Sequence, residues 1–316
     1  MSKAFASHAD LADKKITFSE LGGGGYAYTA EGDPNSGVIV ADDGVMVLDT
    51  QATPVMAADV IRRIRAVTAA PIRYVVLTHY HAVRVLGASA YQAQEVIASQ
   101  DTRDLIAERG AADYQSEAER FPRLFRAIES IPGLTWPTLA FQGALTVWLG
   151  KTEVRLMQLG RGHTKGDTVA WLPESEVLFS GDLVEFGATP YCGDAYLSDW
   201  PATLTRLLEL KPRALVPGRG EALIGRDCCR LAIEQTRDFV TELYGAVAEG
   251  RRAGRELNAI YRDTVVRLKP KFGSFAIFDH CMPFDVSRAY DEVGGIRDPR
   301  IWTAARDQDM WRALEG

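Results

Sequence analysis

Two histidines separated by one residue, His79 and His81, follow the apolar run Tyr74 to Leu77. At strand spacing alternate side chains point to one side, so both imidazoles can face a single ion. The chain has five histidines, and a third, His163, stands in GRGHTKGDT after the apolar stretch Val154 to Leu159. Asp182, in FSGDLVE, follows another such stretch. Three neutral imidazoles with one carboxylate and an open position make the ligand set of a catalytic Zn²⁺ or Fe²⁺ site. A His-x-His pair alone fits a hydrogen-bonded rim as well as a metal centre, and an Asp in a turn can simply cap it. The appearance of GHTKGD and SGD downstream, in that order, tips the reading to metal. Just after His81, where further ligands would be sought, stand Val83 and Arg84. Neither can bind a cation.

These residues need elements to aim them. Short β-branched runs at Ile16–Ser19, Tyr26–Thr29, Gly37–Ala41 and Val45–Asp49 read as strands. The glycine run Gly22 to Gly25 lacks GK[ST] and a following helix, so it reads as a turn rather than a phosphate loop. Asp42-Asp43-Gly44 signals a hairpin. Val55 to Val67 has apolar residues at helical spacing, and Pro71 opens the strand that leads to His79. From about residue 88 to 135 the pattern turns charged and helical, an expected insertion near the pocket mouth. Strands resume at Leu145–Leu149, Val154–Leu159, Val169–Leu172, Val177–Phe179 and Ala214–Val216, with a helix over Pro201–Leu210. The expected division is a first domain over 1–226 and a helical extension over 227–316. Strands followed by helices, twice over, predict an α/β chain of two βα layers packed sheet to sheet.

With 316 residues, 47% hydrophobic and 25% charged, the composition is that of a globular chain. A net charge of -6 argues against a nucleic-acid surface. No span is long and apolar enough for a bilayer, and the N-terminus lacks an apolar leader core. Cys192, Cys228, Cys229 and Cys281 form no CxxC pair and read as reduced thiols of a cytoplasmic protein. The expected partner is a small molecule, and the long helical tail allows a homodimer.

VLDT (Val47–Thr50), THYH (Thr78–His81), GHTKGD (Gly162–Asp167), FSGD (Phe179–Asp182) and VPGRG (Val216–Gly220), in this order between strands, resemble the metallo-β-lactamase superfamily. The resemblance implies an αββα sandwich of two mixed sheets with a metal site at the sheet edges. It makes His79, His81 and His163 the ligands of a first metal, and Asp182 the carboxylate that bridges to a second. It makes Asp49 a partner that holds a ligand histidine by its ring N–H; a strand-end turn cap is the other reading of Asp49. Asp167 belongs to the same supporting set. The tail FDHCMPFDVSRAYDEVGG is loosely similar to those of SoxH-like members and is expected to close over the pocket, with His280 structural rather than a ligand.

The departures from the family pattern HxHxDH are systematic. Val83 replaces its aspartate, Arg84 its final histidine, and Arg219 the histidine of the late PGHG. All three positions serve the second metal, so one Zn²⁺ is expected, with Fe²⁺ as the alternative. Arg84 and Arg219 either hold a substrate anion or form ion pairs with Asp182 and Asp167. Asp182 is expected to act as base or to orient water. The expected activity is hydrolysis of an ester, thioester or amide of a small anionic substrate. An iron dioxygenase and a non-catalytic binding protein are the alternatives.

Overall fold

The computed structural model describes residues 5–315. One sheet holds β1 (Thr17–Gly22), β2 (Gly25–Thr29), β3 (Ser36–Ala41), β4 (Gly44–Leu48), β5 (Ile72–Val76), β6 (Glu95–Ser99) and β7 (Leu139–Phe141), adjacent in that order. β1 to β4 meander antiparallel, turning at Gly23-Gly24 and at Asp42-Asp43, while β4 to β7 run parallel. The other sheet is built of β8 (Ala144–Leu149), β9 (Thr152–Met157), β10 (Val169–Leu172), β11 (Val177–Gly181), β12 (Ala214–Pro217) and β13 (Leu223–Ile224). There the order is β13-β12-β11-β10-β9-β8, with β11 and β12 the parallel pair. The helices are α1 (Pro54–Val67), α2 (Ala82–Val85), α3 (Gln100–Arg120), α4 (Trp200–Glu209), α5 (Arg226–Arg252), α6 (Leu257–Phe272), α7 (Phe278–Val293) and α8 (Ala304–Leu314).

β4 shows why the sheets pack as they do. It is apolar at every position because both of its faces are covered. Val45 and Val47 meet α1 and α3 in an outer core, while Met46 and Leu48 meet Leu156, Leu172 and Phe179 of the second sheet. Outside that second sheet, Trp171, Leu178 and Leu215 pack against α4, α5 and α7. The layers are therefore αββα, as expected. The outer core of the second sheet continues through α5, α6 and α7 without a break at residue 226. Among the described residues, no helix is long and apolar enough to cross a membrane.

One stretch differs from its expected form. The segment 88–135 is not helical throughout: Glu95–Ser99 is β6, paired parallel with β5 on one side and β7 on the other. EVIAS carries only two β-branched residues, and its pairing is long-range, so the helical pattern beginning at Gln100 concealed it. That same pairing delivers α3 to the mouth of the site. Ser99 caps the helix by accepting a hydrogen bond from Thr102 N.

Candidate metal centre

His79 and His81 emerge just beyond β5, His163 from the loop between β9 and β10, and Asp182 directly after β11. All four are buried. The three imidazole rings stand nearly perpendicular to one another, with centroids 4.7 to 4.9 Å apart. One nitrogen of each lies within 4.8 Å of the others. His163 Nε2 is 2.9 Å from His81 Nδ1. Asp182 Oδ2 lies 3.7 Å from both His79 Nε2 and His163 Nε2.

The outward nitrogens decide whether a cation fits. His163 Nδ1 is 2.9 Å from the carbonyl oxygen of Tyr191. A carbonyl only accepts, so Nδ1 carries the proton and Nε2 turns a lone pair inward. His81 Nε2 faces Asp194 Oδ2 at 3.4 Å, which leaves its Nδ1 inward. Thr78 donates its hydroxyl to Asp49 Oδ2 (2.8 Å) and so accepts from His79 Nδ1 (2.9 Å). His79 Nε2 is then left buried without a hydrogen-bond partner. The inward lone pairs of His79 and His163, joined by that of His81 once it gives up its proton, suit a divalent cation beside a carboxylate.

Asp49 thus works one residue removed from its expected place: it grips Thr78 through N and Oγ1, and Thr78 aims the histidine. Burial pushes Asp49 up to about 7 against the pull of Arg84 and Thr78. Asp167 accepts from Thr164 N and Oγ1, closing the loop that carries His163. It too is pushed by burial to about 7. Two glycines bring backbones to the ligands. A Cβ on Gly218 would lie 2.9 Å from Asp182 Cα, and one on Gly166 would lie 2.6 Å from Thr102 N.

Where the family pattern would place second-metal ligands, Val83 and Arg84 lie fully buried on α2. Arg84 Nη2 is 2.5 Å from Asp182 Oδ1, and its Nη1 donates to Asn35 O at 3.0 Å. Burial alone would raise Asp182, but Arg84 foremost, with His79 and His163, holds it far below the usual carboxylate range. Arg219 takes a different position: its Nη1 donates to Gly32 O, and its Nε is 4.0 Å from Glu185.

Several residues of the surroundings went unnoticed in the sequence. Arg109, Asp113, Glu117 and Arg120 line one buried face of α3. Asp113 and Glu117 accept from Ala82 N and Val83 N, both at 2.7 Å, capping α2 from outside. Arg109 ion-pairs with Asp194 at 3.1 Å. Burial opposes a charge on His81, yet Asp113, Asp194 and Glu117 outweigh it and raise His81 to about 9. The spacing of four, four and three residues was a readable signal, although a charged helical stripe usually faces solvent. From the tail, His280 and Cys281 line a small cavity with His81, His163 and Asp182. Arg288 donates to Ala195 O and steadies the loop that carries Asp194. Tyr80 and Trp200 are core residues, and His8 lies at the surface against Glu119 O.

Residues 29–219 match the family model described as metallo-beta-lactamase superfamily. A metallo-beta-lactamase type 2 of Bacillus sp. (strain 170) is 24% identical over 200 residues, which span 61% of this chain and 70% of the relative. Among solved structures, a metallo-beta-lactamase from Pontibacter korlensis superposes with a TM-score of 0.58 at 20% identity. That superposition covers 72% of this chain and 99% of the other. The stereoselective inverting sec-alkylsulfatase Pisa1 from Pseudomonas sp. reaches a TM-score of 0.71 at 16% identity, covering 88% of this chain and 50% of its own.

Proposed function

Since this chain belongs to the metallo-beta-lactamase superfamily, we propose that it is a hydrolase that works with one metal ion. His79, His81, His163 and Asp182 would hold the ion, with zinc preferred and ferrous iron the alternative. When bound, such an ion can lower the pKa of a water to about 7 and polarise a substrate oxygen. The observation that carries the single-ion reading is the pairing of Arg84 with Asp182 Oδ1 at 2.5 Å. The guanidinium lies on the oxygen with which Asp182 would reach a second cation, and it supplies fixed positive charge there. Asp182 is held ionised by that pairing, so it suits the orienting role better than the role of base. Thr78, Asp194 and the Tyr191 carbonyl keep the three imidazoles in the tautomers that a cation needs.

The bond broken is proposed to be an ester, thioester or amide of a small anionic substrate. Relatives named as beta-lactamases and as a linear primary-alkylsulfatase support hydrolysis as the reaction class. Matched esters, thioesters and amides, assayed with purified protein before and after chelation, test this. The expected result is turnover of one bond class, lost on chelation and restored by zinc. Iron in the purified protein with oxygen uptake, and no hydrolysis, would replace the reading by the dioxygenase one.

A further inference from the structure

The cavity beside the ligands has room for about one water, roughly 10 Å³. A substrate must therefore lie elsewhere and reach in. Next to it is a cleft of about 350 Å³, the size of an ordinary small-molecule site, between the N-terminal segment, the end of α3 and the α6–α7 turn. Phe121, Arg219, Ile277 and His280 line both spaces and form the partition between them. Ile277 adopts φ 58°, a left-handed conformation that is costly for a β-branched residue.

This partition has defined hydrogen-bonding chemistry. Ser7 donates its hydroxyl to Arg120 O, so it accepts from His280 Nδ1 at 2.9 Å. His280 is 1% exposed, and its Nε2 is buried without a partner. Burial first, then the cations Arg120 and Arg219, hold its pKa well below the usual histidine value, so Nε2 is an acceptor. Arg219 offers a cation whose nearest carboxylate, Glu185, is pushed by burial toward its neutral form. Phe121, Leu124, Phe275 and Phe278 form the apolar part of the cleft, and Asp10, Lys14, Glu31, Asp33, Arg123 and Asp279 its polar part.

We propose that this cleft binds the substrate, taking an amphiphilic acid whose anionic group meets Arg219. A neighbouring N–H or O–H donates to His280 Nε2, and the apolar body rests on the phenylalanines. The inference rests on the hydrolase reading for its meaning, since the residues at the inner end of the cleft also line the cavity beside His81, His163 and Asp182.

Three probes test it by calorimetry, on protein as purified and after chelation. N-Benzoylglycine carries the apolar ring, the donor and the charge; N-benzoylglycinamide lacks the charge; benzoyloxyacetate lacks the donor. The expected order is N-benzoylglycine tightest, benzoyloxyacetate several-fold weaker, and the amide at least tenfold weaker. Arg219→Gln should erase the advantage of the acid over the amide, and Arg219→Lys should restore part of it. His280→Phe should erase the advantage of N–H over ester oxygen. Equal affinities for the three probes, or no binding, would overturn the proposal on wild-type protein alone, whether or not the variants fold. Discrimination that persists in a protein found never to bind metal would retain this cleft and remove the hydrolase reading. Metal binding without discrimination would do the reverse.

Discussion

At the scale of single residues, each imidazole of the candidate centre is aimed by one partner, Thr78, Asp194 or the Tyr191 carbonyl. His79, His81, His163 and Asp182 could be picked by type and position. The groups behind them could not, because a threonine hydroxyl, a backbone carbonyl and one loop aspartate are common everywhere. Asp49 shows the difference: its importance was readable, but its action through Thr78 was not. Thr78→Val removes the acceptor of His79 Nδ1 and strands Asp49. Metal affinity should fall about 10- to 100-fold by competition titration, with Thr78→Ser close to wild type. The His81 environment sets a pH dependence. Its value of about 9 without metal means that an incoming cation must displace a proton. Affinity should therefore rise about tenfold per pH unit below pH 9 and level off above it, with about one proton released in calorimetry at neutral pH. The metal-free fold has the opposite sense. A raised histidine stabilises below its ordinary value of 6.5, and that contribution is lost as pH rises through 9.

At the scale of elements, the strands of β3, β4, β10, β11 and β12 followed from apolar runs between turns, because both faces of each are covered. β6 did not, since a five-residue parallel strand owes its existence to β5 and β7 rather than to its own composition. The charged face of α3 went unread for a related reason: its carboxylates are buried because α2 offers them backbone N–H groups. The β6–α3 junction is also tied to the His163 loop. Ser99 and Thr102 donate to Gly166 O at 2.7 and 2.9 Å, and the close approach leaves no room for a Cβ. Gly166→Ala should cost about 3 kcal/mol in denaturant unfolding and weaken metal binding in parallel. A loss of stability with unchanged metal affinity would show that the junction does not position His163.

At the scale of the whole molecule, the helical tail and the second sheet share one core. Val169, Leu178 and Leu215 pack with Phe239, Leu243 and Met282. A chain ending at residue 225 should expose that face and aggregate, and a monomeric, cooperatively melting fragment would show instead that the first part stands alone. The tail also brings His280 to the cleft, so substrate recognition and core completion depend on the same helices. The proposed replacement of a second metal by arginine is a property of the complete assembled centre. Elemental analysis of purified protein, beside the variant Val83→Asp/Arg84→His/Arg219→His, tests it most directly. We predict one ion per wild-type chain and a rise toward two in the folded triple variant; two ions, or none, in the wild type would contradict it.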